Sequence, residues 1–443
     1  MKKLPRIFAM LLSLTLCLGT IPFASAGTFS DVPRSHWAYS HITAMESMGL
    51  VQGSNGKFRP NETVTNQAFL AMVCRASGLD DRKLESIWSA DPIIAYGQYL
   101  GWFEEEELTA NNKGKPITRE FAAKLLVKAL FPDEIGGNTR FTDESSIGRE
   151  RLPYVRTAAK LGLITGYEDG SFRPQAGLTR AAAAALLNRS LEAKATPVGS
   201  SIQVPLLMYH DVSYLGEGYS KTPEVFRAQM QELKEAGFHT VSYAQIVDYV
   251  ENGTPLPPRP IVISVDDGYR SNYEYMYPIL QELDMKAEIA LIGAAIQYTN
   301  WGLKWDEVRE MKDSGLVSFQ AHTYMMHEDS TASGGRLGVL RAPNEPWLEY
   351  VETFGADTTR ILDKIETETG SRPIAFVYPR GKWNHMSEAV ITALGCKVSV
   401  TTKDGIAVIT QGDPASLHLM DRIGMDFRNG SVLSVLKQFG YQF

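Results

Sequence analysis

Strand-like and helix-like stretches alternate along the second half of the 443-residue chain, and this order limits the fold more than any other feature. Short apolar runs, such as 261–265 and 316–321, are separated by stretches of roughly 10–15 residues with apolar positions at a helical period. Parallel strands need such long connections, which are usually helices. We therefore predict an α/β barrel for residues 204–443, with its chemistry at the carboxyl ends of the strands. One of its helices is predicted from about residue 356, after a long irregular segment.

Four polar clusters each follow directly on an apolar, strand-like run. They are Tyr209-His210-Asp211, Asp266-Asp267, the segment from His322 to His327, and Pro379-Arg380-Gly381. Two imidazoles and one carboxylate form a three-ligand set that leaves positions open for water and substrate, as in catalytic zinc sites. Adjacent strand residues point to opposite faces, so one aspartate would bind the metal and the other would act as a general base. The sequence thus predicts a divalent metal site.

The first half of the chain repeats itself. Phe29-Ser-Asp31 recurs as Phe141-Thr-Asp143, and Phe58-Arg-Pro60 recurs as Phe172-Arg-Pro174, at an offset of 112 to 114 residues. A degenerate copy lies between them and includes 116–121. The pattern of each copy predicts a helix, a turn, and a second helix that begins after a threonine. Because units of this size bury little surface alone, we predict that three copies stack into one all-helical body.

Composition narrows the classes of function. The formal charge of −7 without a basic stripe argues against nucleic-acid binding, because neutralising phosphates dominates that affinity. The first 26 residues have the pattern of a cleaved secretory signal, with a basic start, a short apolar run, and Ala24-Ser-Ala26 at the end. No later segment is long and apolar enough to predict a membrane span in the mature chain. For Cys74 and Cys396, two isolated buried thiols are favoured over one long-range bridge.

The repeated residues resemble the S-layer homology (SLH) repeat, a family in which three copies are usual. The resemblance covers about residues 28–192. The predicted division of this half is a signal peptide at 1–26, repeats at 27–80, 81–135 and 136–192, and a linker at 193–203. The resemblance implies docking onto an anionic secondary polysaccharide of the cell wall. It therefore also implies a secreted protein at the cell surface or S-layer.

In the SLH family, an arginine at the start of the second helix binds the glycan. Arg119 and Arg180 match this position, whereas the first copy has Asn66. An arginine fork at a helix N-terminus also suits carboxylate recognition physically. Asp31 and Trp37 are assigned to the same wall-polysaccharide site. The alternative is a helical spacer with solvated arginines.

The second half resembles the NodB-homology polysaccharide deacetylases of carbohydrate esterase family 4, over about residues 203–427. The resemblance is carried, in family order, by Leu207 to Asp211, Ser264 to Tyr269, Trp305 to Met311 ahead of His322 to His327, Tyr378 to Gly381, and Arg422 to Gly424. It implies a distorted (β/α) barrel with Asp266 as general base. It also implies Asp267, His322 and His327 as ligands of a divalent metal, taken to be Zn²⁺. The five-residue histidine step is the form associated with the poly-N-acetylglucosamine branch.

Three positions depart from that family's pattern. Val377 stands where the family has an arginine that tunes the base. Arg380 replaces a tyrosine whose backbone N–H helps to hold the oxyanion, a main-chain contact that survives the change of side chain. The general-acid histidine has one weak counterpart, His418, after Leu417.

These features predict a metal-dependent deacetylase at the cell surface. Its substrate would be the N-acetyl groups of a polysaccharide that contains N-acetylglucosamine: poly-N-acetylglucosamine, peptidoglycan or a chitin-like polymer. The same machinery would also suit acetyl-ester cleavage on xylan. A third interpretation is a surface glycan-binding protein whose barrel has lost catalysis, although the retained ligands and base argue against it.

Overall fold

A computed structural model describes residues 29–84, 91–138, 140–194, 199–215, 218–328 and 336–442. The signal sequence predicted at 1–26 lies outside these ranges. Within them, no helix combines the length and the apolar character that crossing a membrane requires.

The α-helices described up to residue 194 lie within the ranges predicted for the three copies of the repeat. They are α1 (Tyr39–Ser47), α2 (Asn66–Ala76), α3 (Asp91–Tyr99), α4 (Arg119–Leu130), α5 (Leu152–Lys160) and α6 (Arg180–Lys194). The second helix of each copy begins after a capping threonine, as predicted. The hydroxyl oxygens of Thr65, Thr118 and Thr179 accept a backbone N–H three residues further on, at 3.2, 3.4 and 3.2 Å.

A closed ring of three backbone hydrogen bonds joins the copies. The N–H of Val64 donates to the carbonyl of Leu178, that of Leu178 to Ile117, and that of Ile117 to Val64, at 2.9, 3.0 and 3.0 Å. Each of these residues lies two positions before α2, α4 or α6. The copies therefore occupy equivalent places around a pseudo-threefold axis. The degenerate second copy keeps its place although its motif residues have changed.

Beyond residue 199, strands and helices alternate as predicted. The strands are β1 (Ser201–Val204), β2 (Leu206–Tyr209), β3 (Asp211–Val212), β4 (Ser220–Lys221), β5 (His239–Thr240), β6 (Pro260–Val265), β7 (Ala287–Leu291), β8 (Val317–Ala321), β9 (Ala375–Val377), β10 (Val398–Asp404), β11 (Ala407–Thr410) and β12 (Met420–Gly424). The helices are α7 (Pro223–Glu235), α8 (Tyr243–Asn252), α9 (Tyr277–Leu283), α10 (Gly293–Tyr298), α11 (Trp305–Asp313), α12 (Trp347–Thr369), α13 (His385–Ala393) and α14 (Val432–Gln438). A π-helical turn at Asn272–Met276 leads into α9.

Seven parallel strands close into a barrel in the order β2-β12-β10-β9-β8-β7-β6, with β6 pairing back to β2. The short strand β5 adds to β6 from outside this ring. Strands β6 and β7 are buried along their whole length, which explains why their sequences are almost continuously apolar. The predicted α/β barrel is confirmed.

Helix α12 is longer than predicted. It begins at Trp347 instead of near residue 356, because Trp347, Tyr350 and Phe354 form one buried face at helical spacing. Gly355 follows directly, and glycine is among the weakest helix formers. The sequence pattern therefore underestimated the helix, and the irregular segment before it is shorter than predicted.

The two halves pack against each other through α3 and α12. The hydroxyl of Tyr96, on α3, donates to the carbonyl of Ala389 at 3.2 Å. The hydroxyl of Tyr99 lies so close to α12 that a Cβ added at Gly355 would be 2.0 Å from it. Helix α3 lies within 81–135, the range predicted for the degenerate copy, so this range contributes to the contact with the barrel.

Cys74 and Cys396 are free and buried, as the sequence predicted. Burial raises the pKa of the Cys396 thiol to about 12 and that of Cys74 well above its usual range. Both therefore behave as small apolar core residues at neutral pH.

Candidate metal centre and active site

Asp267, His322 and His327 converge where β6 and β8 end. The Nε2 atom of His322 lies 3.4 Å from Oδ1 of Asp267, and Nε2 of His327 lies 3.2 Å from the same oxygen. Asp267 and Thr323 adopt left-handed backbone conformations, with φ of 72° and 71°. These conformations turn the chain sharply just beyond the strands. The structure thus brings together the three residues that were predicted as metal ligands.

A second contact orients each imidazole. The Nδ1 atom of His322 donates to the carbonyl of Val377 at 2.7 Å. Because a carbonyl can only accept, the neutral form of this ring carries its lone pair on Nε2, which faces Asp267 and is the atom available to a metal. The Nδ1 atom of His327 lies 2.7 Å from the carboxylate of Glu328. Outer contacts of this kind fix the tautomer and the ring orientation of metal-binding histidines.

The three residues fit a divalent cation. Oδ1 of Asp267 is buried and accepts no hydrogen bond of good geometry within the described part of the chain. Burial opposes ionisation of Asp267, but the two imidazoles hold its pKa well below its usual range. Ligands about 2.0–2.2 Å from a tetrahedral zinc ion lie roughly 3.3–3.5 Å apart, close to the separations observed here. The donor set suits zinc and leaves coordination positions open.

Asp266 is fixed by Arg422. The two terminal nitrogens of Arg422 lie 2.7 and 2.8 Å from the two carboxylate oxygens of Asp266. Arg422 is fully buried on β12 and also donates to Ser264 Oγ and to the carbonyl of Thr401. Burial favours the neutral acid, but the charge and hydrogen bonds of Arg422 lower the pKa of Asp266. Asp266 therefore has an arginine partner although Val377 occupies the family's arginine position, because Arg422 on β12 binds the carboxylate.

His210 is a functional candidate that was not assigned a role from the sequence. Its Nδ1 lies 2.8 Å from Oδ2 of Asp426, and its Nε2 lies 4.0 Å from Oδ2 of Asp266. Burial alone would lower the pKa of His210, but the hydrogen bond to Asp426 and the charge of Asp266 raise it to about 9. The ring is therefore protonated at neutral pH and can donate a proton from Nε2. Its position after β2, in one of the four polar clusters, was the available signal.

His418 lies away from this site. It precedes β12, so it lies near the amino end of that strand, whereas Asp266 and His210 follow the carboxyl ends of β6 and β2. Its Nδ1 lies 2.6 Å from Glu388 on α13. The structure therefore does not bring His418 to the other candidate residues, whereas Nε2 of His210 lies 4.0 Å from Asp266.

Arg380 follows β9 and has a left-handed backbone, with φ of 57°. Its guanidinium pairs with Glu328, the residue whose other carboxylate oxygen contacts His327. The carboxylate of Glu328 thus links Arg380, which departs from the family pattern, to the predicted metal ligand His327.

The two motif arginines of the helical half connect copies of the repeat. Arg119 is only 9% exposed and donates to the carbonyls of Phe172 and Thr165 in the third copy, each at 2.9 Å. Arg180 makes the equivalent bonds to two carbonyls of the first copy, at 2.7 and 2.6 Å. The alternative of solvated arginines is therefore wrong for Arg119, whose guanidinium is packed and hydrogen-bonded.

Asp31 and Trp37 differ in what surrounds them. The carboxylate of Asp31 accepts the backbone N–H groups of Phe58 and Arg59 at 2.8 and 2.7 Å and so fixes the turn of the first copy. Asp143 makes the same pair of contacts in the third copy, at 2.7 and 2.8 Å. Trp37 is 59% exposed and stacks on a neighbouring imidazole ring. Of the residues assigned to wall binding, Trp37 is the one with a large open surface.

Known proteins match both halves. The S-layer homology domain matches residues 28–68 and 140–184, and the polysaccharide deacetylase family matches residues 253–399. The poly-beta-1,6-N-acetyl-D-glucosamine N-deacetylase of Escherichia coli (strain K12) is 30% identical over 211 residues, which cover 42% of this chain and 31% of that protein. The surface-layer 125 kDa protein of Lysinibacillus sphaericus is 29% identical over 198 residues, which cover 42% of this chain and 17% of that protein.

Among solved structures, a de-N-acetylase from Aggregatibacter actinomycetemcomitans has 25% sequence identity and a TM-score of 0.47, and the match covers 54% of this chain and 100% of that one. The chain spans less than a third of the length of each of the two curated relatives. The two family matches fall on separate halves, the first on the repeats and the second on the barrel. The chain therefore contains S-layer homology domains followed by a polysaccharide deacetylase domain.

Proposed function

We propose that the barrel is a metal-dependent deacetylase that hydrolyses N-acetyl groups of a polysaccharide containing N-acetylglucosamine. The observation that carries the proposal is the environment of Asp266. This carboxylate is held ionised by Arg422, adjoins the three-ligand set in the chain, and lies 4.0 Å from the Nε2 of His210. Metal-assisted hydrolysis of an amide needs these three parts: a general base, a site for a Lewis acid, and a general acid.

In this mechanism, Asp267, His322 and His327 hold the divalent cation, and their donor set favours zinc. When bound, the cation supplies Lewis acidity for the acetyl carbonyl and for a water molecule. Asp266 accepts a proton from the attacking water, and Arg422 keeps the carboxylate in the orientation needed for this transfer.

The leaving nitrogen needs a proton before the C–N bond breaks. His210 donates it from Nε2, while Asp426 stabilises the imidazolium through Nδ1. The backbone N–H of Arg380 is proposed to stabilise the oxyanion that develops on the carbonyl oxygen. The products are acetate and a free amine on the sugar.

The Asp266→Asn variant tests this proposal. We expect metal content to stay at one ion per chain while acetate release falls by roughly 10²–10⁴-fold, because the amide cannot accept the proton. Metal analysis and acetate release from β-1,4- and β-1,6-linked N-acetylglucosamine oligomers measure the two effects. Asp421→Asn, which removes a carboxylate paired with Lys403 on the surface, is the matched control and should stay active. Full activity in Asp266→Asn would contradict the assignment of the base.

The same assay separates the alternatives. Acetate release from acetylated xylan, with none from the amide substrates, would indicate an esterase. A metal-loaded wild-type protein that releases no acetate from any of these glycans would favour a glycan-binding protein without catalysis.

We further propose that the helical half, an all-helical body of repeats 27–80, 81–135 and 136–192, anchors the enzyme to an anionic secondary polysaccharide of the cell wall. The match to the S-layer homology domain and the likeness to a surface-layer protein support this role. The full-length protein should sediment with purified walls and stay in solution once acid extraction has removed the anionic polysaccharide. Trp37→Ala should weaken sedimentation and leave acetate release from soluble oligomers unchanged. Equal sedimentation with extracted and intact walls would contradict the proposal.

A further inference from the structure

Helix α12 has two opposite faces that contact different parts of the molecule. Gly355 and Thr359 are four positions apart on this helix, so they lie on the same face. Each residue advances about 100° around a helix axis, which places Asp357 about 200° from Gly355. Arg360 lies on the same side of the helix as Asp357. The helix can therefore connect whatever contacts its first face to whatever contacts its second.

The first face meets Tyr99, which lies on α3 in the helical half. The Tyr99 hydroxyl is so close to α12 that a Cβ at Gly355 would overlap it. The same phenol interacts with the side chain of Thr359. Glycine is a weak helix former, but in the middle of this 23-residue helix it allows a neighbouring side chain to approach the backbone directly. Tyr99 therefore fixes the position of the α12 backbone itself.

The second face holds the segment that carries the two predicted histidine ligands. The carboxylate of Asp357 accepts the backbone N–H groups of Tyr324 and Met325 at 2.8 and 2.7 Å. The guanidinium carbon of Arg360 lies 3.7 Å from the centre of the Tyr324 ring, which is a cation–π contact. Both contacts fall between the two histidines in the sequence. The position of α12 thus determines where the backbone between the two imidazoles lies.

A continuous series of contacts therefore leads from the helical half to the candidate metal centre. We propose that Tyr99 is a positioning residue for this centre: it fixes α12, and α12 holds the histidine segment in its metal-binding conformation through Asp357. This role rests on the proposed metal-dependent function and deepens it. The helical half is then a working part of the deacetylase as well as its proposed wall anchor.

The alternative is a contact that only buries apolar surface between the two halves. Energetic coupling distinguishes the two cases, because coupling between two sites is reciprocal. If the contact with Tyr99 favours metal binding, a bound metal must favour that contact by the same factor. A contact that only buries surface has no dependence on metal in either direction.

The zinc affinity of the full chain provides the first test. Tyr99→Ala should raise the zinc dissociation constant about 5–10-fold, the lower part of the range typical of coupled sites. Competition with a chelator, below the unfolding transition, measures it. Tyr154→Ala is the matched control and should bind zinc as the wild type does. Tyr154 is also a partly buried tyrosine of the helical half, and its ring contacts Lys128 of the same half.

Two further measurements show whether Tyr99 acts by positioning. Adding Tyr99→Ala to Asp357→Ala should weaken zinc binding by less than about twofold more, because Tyr99 acts through Asp357. Excess zinc should return acetate release by Tyr99→Ala to within about twofold of the wild type, because bound metal selects the binding conformation.

Hydrogen exchange provides the second test and needs no substitution at Tyr99. In the wild type, zinc should slow amide exchange in α3 by about the factor that Tyr99→Ala costs in zinc affinity, and should leave exchange in α5 unchanged. In Asp357→Ala, exchange in α3 should no longer depend on zinc. This measurement decides the matter if Tyr99→Ala does not fold.

The outcomes separate this role from the function on which it rests. Equal zinc dissociation constants in Tyr99→Ala and Tyr154→Ala would overturn the role of Tyr99, and so would exchange in α3 that does not respond to zinc. In either case a wild-type protein that binds zinc and releases acetate leaves the deacetylase assignment intact. A wild-type protein that binds no zinc would overturn both.

Discussion

Arg422 holds both carboxylate oxygens of Asp266, with nitrogen–oxygen distances of 2.7 and 2.8 Å. The two residues are 156 positions apart in the sequence, and the barrel brings them together because β12 and β6 both pair with β2. An ion pair so deeply buried offsets the cost of removing two charges from water only if its geometry is good and its other hydrogen-bonding groups are satisfied. Both conditions hold here, since Arg422 also bonds Ser264 and Thr401.

Replacing Arg422 should therefore reduce stability as well as activity. Arg422→Leu leaves the Asp266 carboxylate buried without its partner, which typically costs about 3–5 kcal/mol in the free energy of unfolding. It also raises the pKa of Asp266, because the opposing charge is lost while burial remains. Urea unfolding of the full chain should show a lower midpoint for the barrel. Lys403→Met, which breaks an exposed pair with Asp421, should change stability by less than about 1 kcal/mol. Equal midpoints for the two variants would contradict this account.

Deprotonation of His210 should set the alkaline limb of the pH profile of turnover. The raised pKa means that the ring carries the proton needed for catalysis below about pH 9 and loses it above that value. Asp426→Asn removes the hydrogen bond to a carboxylate and one of the charges that raise this pKa, while burial still lowers it and the charge of Asp266 still raises it. The alkaline limb of kcat should therefore shift below about pH 9. The Asp421→Asn control should keep the wild-type limb, and a limb unchanged in Asp426→Asn would exclude His210 as the titrating acid.

Local patterns predicted much of the fold, because a barrel strand and its neighbouring helix have distinct periods within a few residues. The metal ligands were also predictable from local sequence, because Asp267 follows an apolar strand directly and His322 and His327 are five residues apart. The partners of Asp266 were not predictable in this way. His210, Arg422 and Asp426 lie outside the matched segment 253–399, and only closure of the barrel places them at the site. His418 was chosen from a two-residue motif, although it precedes the apolar run of β12 and therefore lies at the amino end of that strand.

Asp357 should determine how well the histidine segment binds metal. Its carboxylate, on α12, accepts the backbone N–H groups of Tyr324 and Met325 at 2.8 and 2.7 Å, between the two histidines. Asp357→Ala removes both contacts, so the segment should lose its fixed conformation. We expect the dissociation constant for zinc to rise about 10–100-fold, the range typical of lost outer contacts in metal sites. Competition with a chelator measures it, and Asp363→Ala, on an exposed side of the same helix, is the control.

The effect of Gly355→Ala on stability should depend on whether Tyr99 is present. Alanine normally stabilises a helix interior by roughly 0.5–1 kcal/mol relative to glycine. At Gly355, however, the new Cβ would meet the Tyr99 hydroxyl at 2.0 Å, so Gly355→Ala should instead destabilise the protein by about 1–3 kcal/mol through overpacking. In a Tyr99→Ala background the clash is absent, and the same substitution should stabilise the chain. Thermal unfolding of the wild type, the two single variants and the double variant measures the coupling energy between the two substitutions. Two halves that do not touch would show no such coupling.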